Sequence, residues 1–256
     1  MIDFERLEKN KEEFRLAYLL AKPFPHICID AFCDEQKVEL LYNEIPDIQT
    51  KSRDYVFAAN KFEKSKIKEI SPLFEELYND LVSDRFKQFL QFVTNEDVFV
   101  DKAFHGGGIH QGKKSSFLDM HVDFNYHPLH PNWYRNLNLL FYLNKDWKPA
   151  YGGQLKLEDL RSGEKAEIEV PFNRMVIQQT RKYTLHGYGL TSFPEGVYRT
   201  SIASYAYTIH KRHIEKPRTT DWHPNDDEPF KKFLALIYDP AVKVKNKLFG
   251  SSTAKH

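Results

Sequence analysis

The chain has 256 residues, of which 41% are hydrophobic and 29% charged, and its formal net charge is +1 at neutral pH. This length can bury a sizeable core, and one domain is the expected arrangement. The near-zero net charge argues against a strongly basic nucleic-acid-binding protein and gives no general attraction to an anionic membrane. We therefore expect a soluble globular protein that binds neither nucleic acid nor membrane. Composition leaves the oligomeric state open.

The cysteine content and the N-terminus favour a reducing compartment. Cys28 and Cys33 do not form a CxxC pair, so neither a disulfide framework nor a thiolate metal site is predicted. Residues 1–6 carry charges without an apolar run, which argues against a signal peptide. No stretch approaches the ~20 apolar residues of a membrane span. The expected location is the cytoplasm.

The first hundred residues have mainly helical periodicity. Apolar residues at helical spacing predict a helix over 4–21, followed by a proline-rich break and a short strand over 26–30. A second helix is predicted over 34–45. Ser71, followed by a proline and then by acidic residues, has the features of a helix N-terminus. The apolar stripe of that helix continues to Val93.

From Asp97 onward the pattern changes to short strands separated by Gly, Pro, Asn and Asp clusters, as in a sandwich or barrel. The predicted strands are 98–100, 117–124, 137–143, 154–157, 168–170, 175–178, 185–188 and 202–207. The glycines at 106–108 and 112 suggest a flexible loop before the second of these strands. After Pro217 the sequence is polar, with a Lys-rich, helix-like stretch over 231–247.

These patterns divide the chain into three parts of one domain. Residues 1–95 form a helical support layer with one leading strand, residues 96–210 form the β core, and residues 211–256 form a polar C-terminal extension. The expected fold class is mainly β with an α-helical N-terminal layer.

The most informative segment is Met120-His121-Val122-Asp123. Successive strand side chains point to opposite faces, so His121 and Asp123 share a face. Together with a distant His186 they make two nitrogens and one oxygen, the ligand set of non-haem Fe(II) oxygenases. The His-x-Asp pair alone is a weak signal because the chain has eleven histidines. For the pair by itself, a structural or surface role is equally compatible with the sequence.

The order of the following motifs makes the pattern specific. Phe141-Tyr142-Leu143-Asn144-Lys145-Asp146-Trp147 precedes Gly152-Gly153, then come His186 and, thirteen residues later, Arg199. Over roughly residues 97–208 this order resembles the 2-oxoglutarate- and Fe(II)-dependent dioxygenases, specifically the prolyl 4-hydroxylase-like branch. The sequence segment at 141–147 is similar to the corresponding segment of the animal oxygen-sensing prolyl hydroxylases. The segment at 22–27 more weakly resembles the ribosomal-protein prolyl hydroxylase relatives.

The resemblance implies a double-stranded β-helix (jelly roll) and assigns roles to individual positions. His121, Asp123 and His186 match the iron ligands, and the resemblance implies that the same three residues are the catalytic residues. Arg199 matches the cation that pairs with the far carboxylate of 2-oxoglutarate, a role that suits the planar, two-donor guanidinium. Tyr142 matches a tyrosine whose hydroxyl reaches the same carboxylate.

Further pocket candidates come from position alone. Strand alternation predicts that Asn136, Asn138, Leu140 and Tyr142 share one face, which makes Asn138 a candidate for contact with the cosubstrate. Ser201, or its neighbour Thr200, is a candidate because it follows Arg199 directly. Four loop histidines, His105, His110, His127 and His130, stand near the triad strand, but loop histidines are more often solvated and we expect that of these.

The implied reaction is hydroxylation of an unactivated C–H bond with iron(II), 2-oxoglutarate and dioxygen, and ascorbate is an additional candidate. Asp123 favours hydroxylation because related halogenases have a small residue at this position. The branch favours a prolyl or other amino-acid residue of a peptide or protein as substrate. A free amino acid, a natural product or a sugar-containing metabolite stays open, because loops set substrate choice.

Two other classes of protein stay open as well. One is a non-catalytic barrel that keeps a metal or a 2-oxoacid as a structural or sensory ligand; the presence of all three ligands and Arg199 argues against it. The other is a cupin that acts on sugars or nucleotides with a different metal. The chain lacks the two short motifs with several His and a Glu that cupins have.

Overall fold

The structure, a computed structural model, describes residues 1–48, 56–224 and 229–236. Residues 229–236 are helical, which covers the beginning of the predicted Lys-rich stretch; the rest of that stretch, 237–247, lies outside the described residues. None of the helices in the described part of the chain has the length and apolarity that crossing a lipid bilayer requires.

The helices before residue 95 form a layer that packs on one face of a β-sheet. They are α1 (Phe4–Lys9), α2 (Lys11–Leu20), α3 (Glu35–Asn43), α4 (Pro72–Leu81) and α5 (Asp84–Thr94). The single helix predicted over 4–21 is interrupted at Asn10, which ends α1 and begins α2. The stripe predicted from Ser71 to Val93 is likewise divided, because the Ser83 hydroxyl accepts from the Phe86 N–H and starts a new helix.

The strands form one curled antiparallel sheet. They are β1 (His26–Ile29), β2 (Ala58–Lys64), β3 (Phe99–Val100), β4 (Gly108–Val122), β5 (Trp133–Tyr142), β6 (Leu155–Asp159), β7 (Lys165–Ile168), β8 (Arg174–Gln179), β9 (Thr184–Tyr188), β10 (Arg199–Ile209) and β11 (Asp221–Trp222). Their order is β1-β8-β5-β10-β4-β9-β6-β7, with β2 and β11 on β4 and β3 on β10.

The long strand β4 produces the curl. Its first part pairs with β10, where Gly112 lies opposite Arg199, and its second part pairs with β9, where His121 lies opposite His186. One strand thereby joins two parts of the sheet and bends it around an interior. The predicted fold class, mainly β with an N-terminal helical layer, is confirmed; the division at residues 95 and 210 stays a prediction.

The flexible glycine loop predicted before the His-x-Asp strand is wrong in part. Gly108 begins β4 and Gly112 lies within it, paired with Lys61 of β2. The neighbouring Gly107 has a packing reason, because a Cβ there would stand 2.5 Å from the Ala203 carbonyl oxygen. These glycines therefore permit close approach of backbones.

Strand β5 separates the core from the interior cavity. Leu137, Leu139 and Phe141 face the helices and belong to the main hydrophobic cluster, where the rings of Phe32 and Phe141 are 5.5 Å apart. The alternate residues, beginning with Asn138, line a cavity on the other face. The helical layer thus supports the strand that positions the candidate site.

Candidate active site

The three predicted ligands converge at the end of β4. Pairing of β4 with β9 places His121 opposite His186, with ring centroids 4.2 Å apart. Asp123 Oδ1 lies 3.7 Å from His121 Nε2, and its Oδ2 lies 3.4 Å from His186 Nε2. One ligand atom from each residue lies within 4.8 Å of the other two. This donor set, two imidazole nitrogens and one carboxylate, fits iron(II) with open positions.

The electrostatic environment suits these residues to bind a metal. Burial lowers the pKa of both imidazoles, that of His186 to about 3, so both rings are neutral near pH 7. Burial alone would raise the pKa of Asp123. The charge of Arg135, the interactions with the two imidazoles and the hydrogen bond from Asn138 outweigh that effect and hold the pKa of this carboxyl well below its usual value.

A second set of contacts orients the ligands. The His121 Nδ1 lies 2.9 Å from the Asp119 carbonyl oxygen, so a proton on Nδ1 leaves Nε2 free for a metal. The Asn138 Nδ2 donates to Asp123 Oδ2 at 2.8 Å, and the Asn138 Oδ1 accepts from Arg135. The amide of Asn138 is thus engaged with Asp123 and Arg135, which favours a positioning role over contact with the cosubstrate.

A β-bulge brings Arg135 into the cavity. Between β5 and β10, Leu137 pairs with Ala206 and Arg135 with Tyr207, so Asn136 is the extra residue. The predicted alternation therefore holds from Asn138 onward and fails for Asn136, whose amide contacts Glu96 and Arg181 outside the cavity. Arg135 is 2% exposed, and its guanidinium lies 3.1 Å from Asp123 Oδ2.

The guanidinium of Arg199 lies in the same cavity as the triad. Its Nε donates to the Gly153 carbonyl at 2.7 Å, and an Nη lies 3.4 Å from the Tyr142 hydroxyl. It also lies 4.0 Å from the centre of the Tyr188 ring. A Cβ at Gly153 would come within 2.9 Å of the Arg199 side chain. A buried guanidinium beside a tyrosine hydroxyl fits the carboxylate of a dicarboxylic acid.

One cavity of about 1040 Å³ contains all the predicted site residues: the triad of His121, Asp123 and His186, together with Arg199, Tyr142, Asn138 and Ser201. Ser201 pairs with Tyr142 across the strands and faces the cavity. Thr200 points to the other side of β10, where its hydroxyl accepts from the Gln111 amide. Of the two neighbours proposed from sequence, Ser201 is therefore the one near the site.

The expectation that these four histidines are solvated loop residues is wrong for His105 and His127, and His110 lies within β4 rather than in a loop. His105 and His127 are buried, with His127 Nε2 3.4 Å from Asp101 Oδ2. Asp101 also accepts from the backbone N–H of His105 and thereby shapes the loop at the cavity edge. His130 is exposed, as expected, and stacks on a tryptophan, and His110 lines the cavity.

The polar C-terminal segment contributes to the site, which sequence patterning did not predict. Trp222 of β11 packs 4.8 Å from the ring of His121 and stacks on Phe57. The Arg218 Nε donates to the Asp123 carbonyl oxygen at 3.1 Å. A lone tryptophan in an otherwise polar segment is the signal that would have marked this contact.

Comparison with known proteins agrees with this geometry. Residues 107–207 match the family model described as the 2OG-Fe(II) oxygenase superfamily. No curated protein matches the sequence. This match agrees with the predicted superfamily, with the predicted enzyme class and with the predicted use of iron(II) and 2-oxoglutarate, whereas ascorbate stays a prediction.

Solved structures share the fold at low identity. A prolyl-4-hydroxylase from Pseudomonas putida has a TM-score of 0.58 and 14% identity over 78% of this chain and 99% of that chain. A prolyl hydroxylase from Trichoplax adhaerens, in complex with a hypoxia inducible factor peptide fragment, has a TM-score of 0.56 and 14% identity over 79% and 92%. HygX from Streptomyces hygroscopicus, with nickel, 2-oxoglutarate and hygromycin B bound, has a TM-score of 0.50 and 13% identity over 75% and 85%.

Proposed function

We propose that this chain, which over residues 107–207 belongs to the 2OG-Fe(II) oxygenase superfamily, hydroxylates an amino-acid residue, proline foremost, in a peptide or protein. The observation that carries the proposal is the presence of the triad and the Arg199–Tyr142 pair in one cavity. The fold shared with two prolyl hydroxylases supports the choice of substrate class.

Each residue has a role in the proposed reaction. His121, Asp123 and His186 hold iron(II), while Arg199 and Tyr142 bind the far carboxylate of 2-oxoglutarate. Ser201 stands beside Tyr142 as a further polar contact for the cosubstrate. When bound, iron would supply the oxidising chemistry by which the substrate, 2-oxoglutarate and dioxygen give the hydroxylated substrate, succinate and carbon dioxide. The carboxylate of Asp123 at the metal favours hydroxylation over halogenation.

A small-molecule substrate is the second candidate. HygX, whose structure holds the natural product hygromycin B, shares the fold at a TM-score of 0.50. A free amino acid and a sugar-containing metabolite belong to the same candidate class. A screen of proline-containing peptides and of small molecules for stimulated succinate formation distinguishes the two. Stimulation by small molecules alone would move the assignment to the second candidate.

Two variants test the proposed ligand assignments. We expect His186→Ala to abolish iron binding because it removes one of three ligands. Arg199→Ala is expected to leave iron bound and to raise the 2-oxoglutarate concentration for half-maximal binding about tenfold or more, since a charged hydrogen-bonding partner is lost. Metal content and anaerobic 2-oxoglutarate titration measure the two effects.

Arg161→Ala is the control, because Arg161 is exposed and pairs with Asp159. It should change neither the metal content nor the 2-oxoglutarate titration. Equal loss of iron and 2-oxoglutarate in Arg199→Ala would contradict the assignment of Arg199. If the protein binds iron and 2-oxoglutarate but forms no succinate with any substrate in the screen, the result would favour the non-catalytic barrel.

A further inference from the structure

Within the part of the chain that the structure describes, one lysine that faces the cavity makes no hydrogen bond. Lys61 of β2 is 9% exposed and lines the same cavity as His121 and His186. Its Nζ lies 3.7 Å from Glu63 Oε1, longer than a hydrogen bond, and this is its one polar contact among the described residues. A nearly buried ammonium is costly to desolvate unless a closely placed partner compensates. Among the described residues, the ammonium therefore has no closely placed partner.

Lys61 lies on the same row of the sheet as Arg199. Lys61 pairs with Gly112 on β4, and Gly112 pairs on its other side with Arg199. These three positions form one row across the sheet, so Lys61 and Arg199 face the cavity from strands that flank a glycine. A Cβ at Gly112 would stand 2.4 Å from Ser116 Oγ and 3.3 Å from the Tyr188 hydroxyl oxygen, so those two side chains occupy the space above the glycine. A ligand would reach Lys61 from the cavity of about 1040 Å³ that both cations line.

The charges that surround the metal site favour an anion. Counted over the described residues, the cavity is lined by five cations against three carboxylates: Lys61, Lys64, Lys66, Arg135 and Arg199 against Glu63, Glu69 and Asp123. Iron(II) and doubly charged 2-oxoglutarate cancel one another, so binding both leaves the excess of positive charge in place. A cleft lined by one sign of charge raises the local concentration of ligands of the opposite sign.

We propose that Lys61 anchors a second carboxylate-binding subsite in this cavity, distinct from the one at Arg199. The inference rests on the proposed function, since the first carboxylate is that of 2-oxoglutarate. Two molecules can supply the second carboxylate: an acidic substrate, or the other end of 2-oxoglutarate. The excess positive charge that persists with iron and 2-oxoglutarate bound favours the acidic substrate.

The test compares Lys61→Met, which removes the charge at similar length, with Lys61→Arg, which keeps it. Lys165→Met is the control, because Lys165 is an exposed lysine of β7 that lies outside the cavity lining. Each variant is first titrated anaerobically with 2-oxoglutarate in the presence of Fe(II). Each is then screened with pairs of compounds that differ only in an acid or its amide. One set compares free amino acids with their amides. The other compares proline peptides that carry Asp with the same peptides carrying Asn, and peptides that carry Glu with those carrying Gln. Binding is read as a thermal shift and turnover as succinate formation.

For an acidic substrate we expect the acid of a pair to bind and stimulate about tenfold better than its amide. This preference is lost in Lys61→Met and kept in Lys61→Arg and Lys165→Met. If the second carboxylate is that of 2-oxoglutarate, Lys61→Met instead weakens 2-oxoglutarate binding about tenfold, which also supports the subsite and names its occupant.

The proposal is overturned if Lys61→Met changes neither 2-oxoglutarate binding nor the acid preference, or if no acid is preferred and 2-oxoglutarate binding is unaffected. Failure of the proposed function has a different signature. In that case the wild-type protein itself forms no spectroscopic complex with Fe(II) and 2-oxoglutarate, before any Lys61 variant is compared.

Discussion

Individual residues of the site were predictable where a motif fixes their spacing. His121 and Asp123 follow from strand alternation, and His186, Arg199 and Tyr142 follow from the order of the motifs; the structure brings all five into one cavity. Arg135 and Lys61 were not predicted. Arg135 reaches the cavity through a bulge that reverses alternation, and bulges have no short sequence signature.

The contact between Arg135 and Asp123 gives a residue-scale prediction. Arg135→Met should lower iron affinity about 10- to 100-fold, because a partner that orients a metal ligand contributes on this scale. Metal titration measures the change, and the melting temperature reports any loss of folding. Arg161→Met is the matched control, since that arginine is largely exposed and pairs with an acid that lines no part of the cavity.

The same iron affinity in Arg135→Met and wild type would show that Asn138 alone positions Asp123. Arg135→Lys should not restore the affinity fully, because the guanidinium contacts both Asn138 and Asp123 with separate donors.

At the scale of elements, periodicity located several strands, but it missed the first part of β4 and the whole of β2. Periodicity located β5, β8, β9 and β10 within a few residues. Strand β2, with the sequence Ala58-Ala-Asn-Lys-Phe-Glu-Lys64, has too few apolar residues for alternation to mark it. Its place in the sheet depends on pairing with β4, which is a long-range property that local sequence does not encode.

The pairing of β4 with β9 gives an element-scale prediction. A Cβ at Gly187 would lie 2.6 Å from the Leu118 carbonyl oxygen and 2.9 Å from that of Asp119, so Gly187→Ala must push β9 away from β4. Because that pairing places His186 opposite His121, we expect iron binding to fall about tenfold or more. Metal titration of the folded variant measures the effect.

Gly189→Ala is the matched control two residues farther along. A Cβ there would meet only the end of the Lys156 side chain at 3.5 Å, which is ordinary contact. It should leave iron affinity within about twofold of the wild type. Equal affinity in both variants would mean that the spacing of β4 and β9 does not control the triad.

At the scale of the whole molecule, the site draws on segments that are far apart in sequence. The helical layer supports β5, the curl of β4 joins two parts of the sheet, and residues 218–222 return to cover His121 and Asp123. The fold class was predictable from the change of periodicity near residue 97. The return of the C-terminal segment was not, because the sequence after Pro217 is polar and Trp222, which contacts His121, belongs to no apolar pattern.

Ligand binding to this assembly should raise its thermal stability. With Mn(II) in place of iron to prevent turnover, 2-oxoglutarate at about 100 times its Kd should add about 2.7 kcal/mol to the free energy of unfolding. For a domain of this size that corresponds to a rise in Tm of roughly 5–10 °C. Arg199→Ala should keep the shift due to the metal and lose the increment due to 2-oxoglutarate. The absence of any increment in the wild type would contradict a 2-oxoglutarate site.

The most direct measurement is the visible absorption spectrum of the purified protein after anaerobic addition of Fe(II) and then 2-oxoglutarate. We predict a charge-transfer band that requires both additions, because 2-oxoglutarate must bind iron held by His121, Asp123 and His186. The band should be missing in His186→Ala. A metal-loaded wild-type protein that shows no band at saturating 2-oxoglutarate would contradict the account.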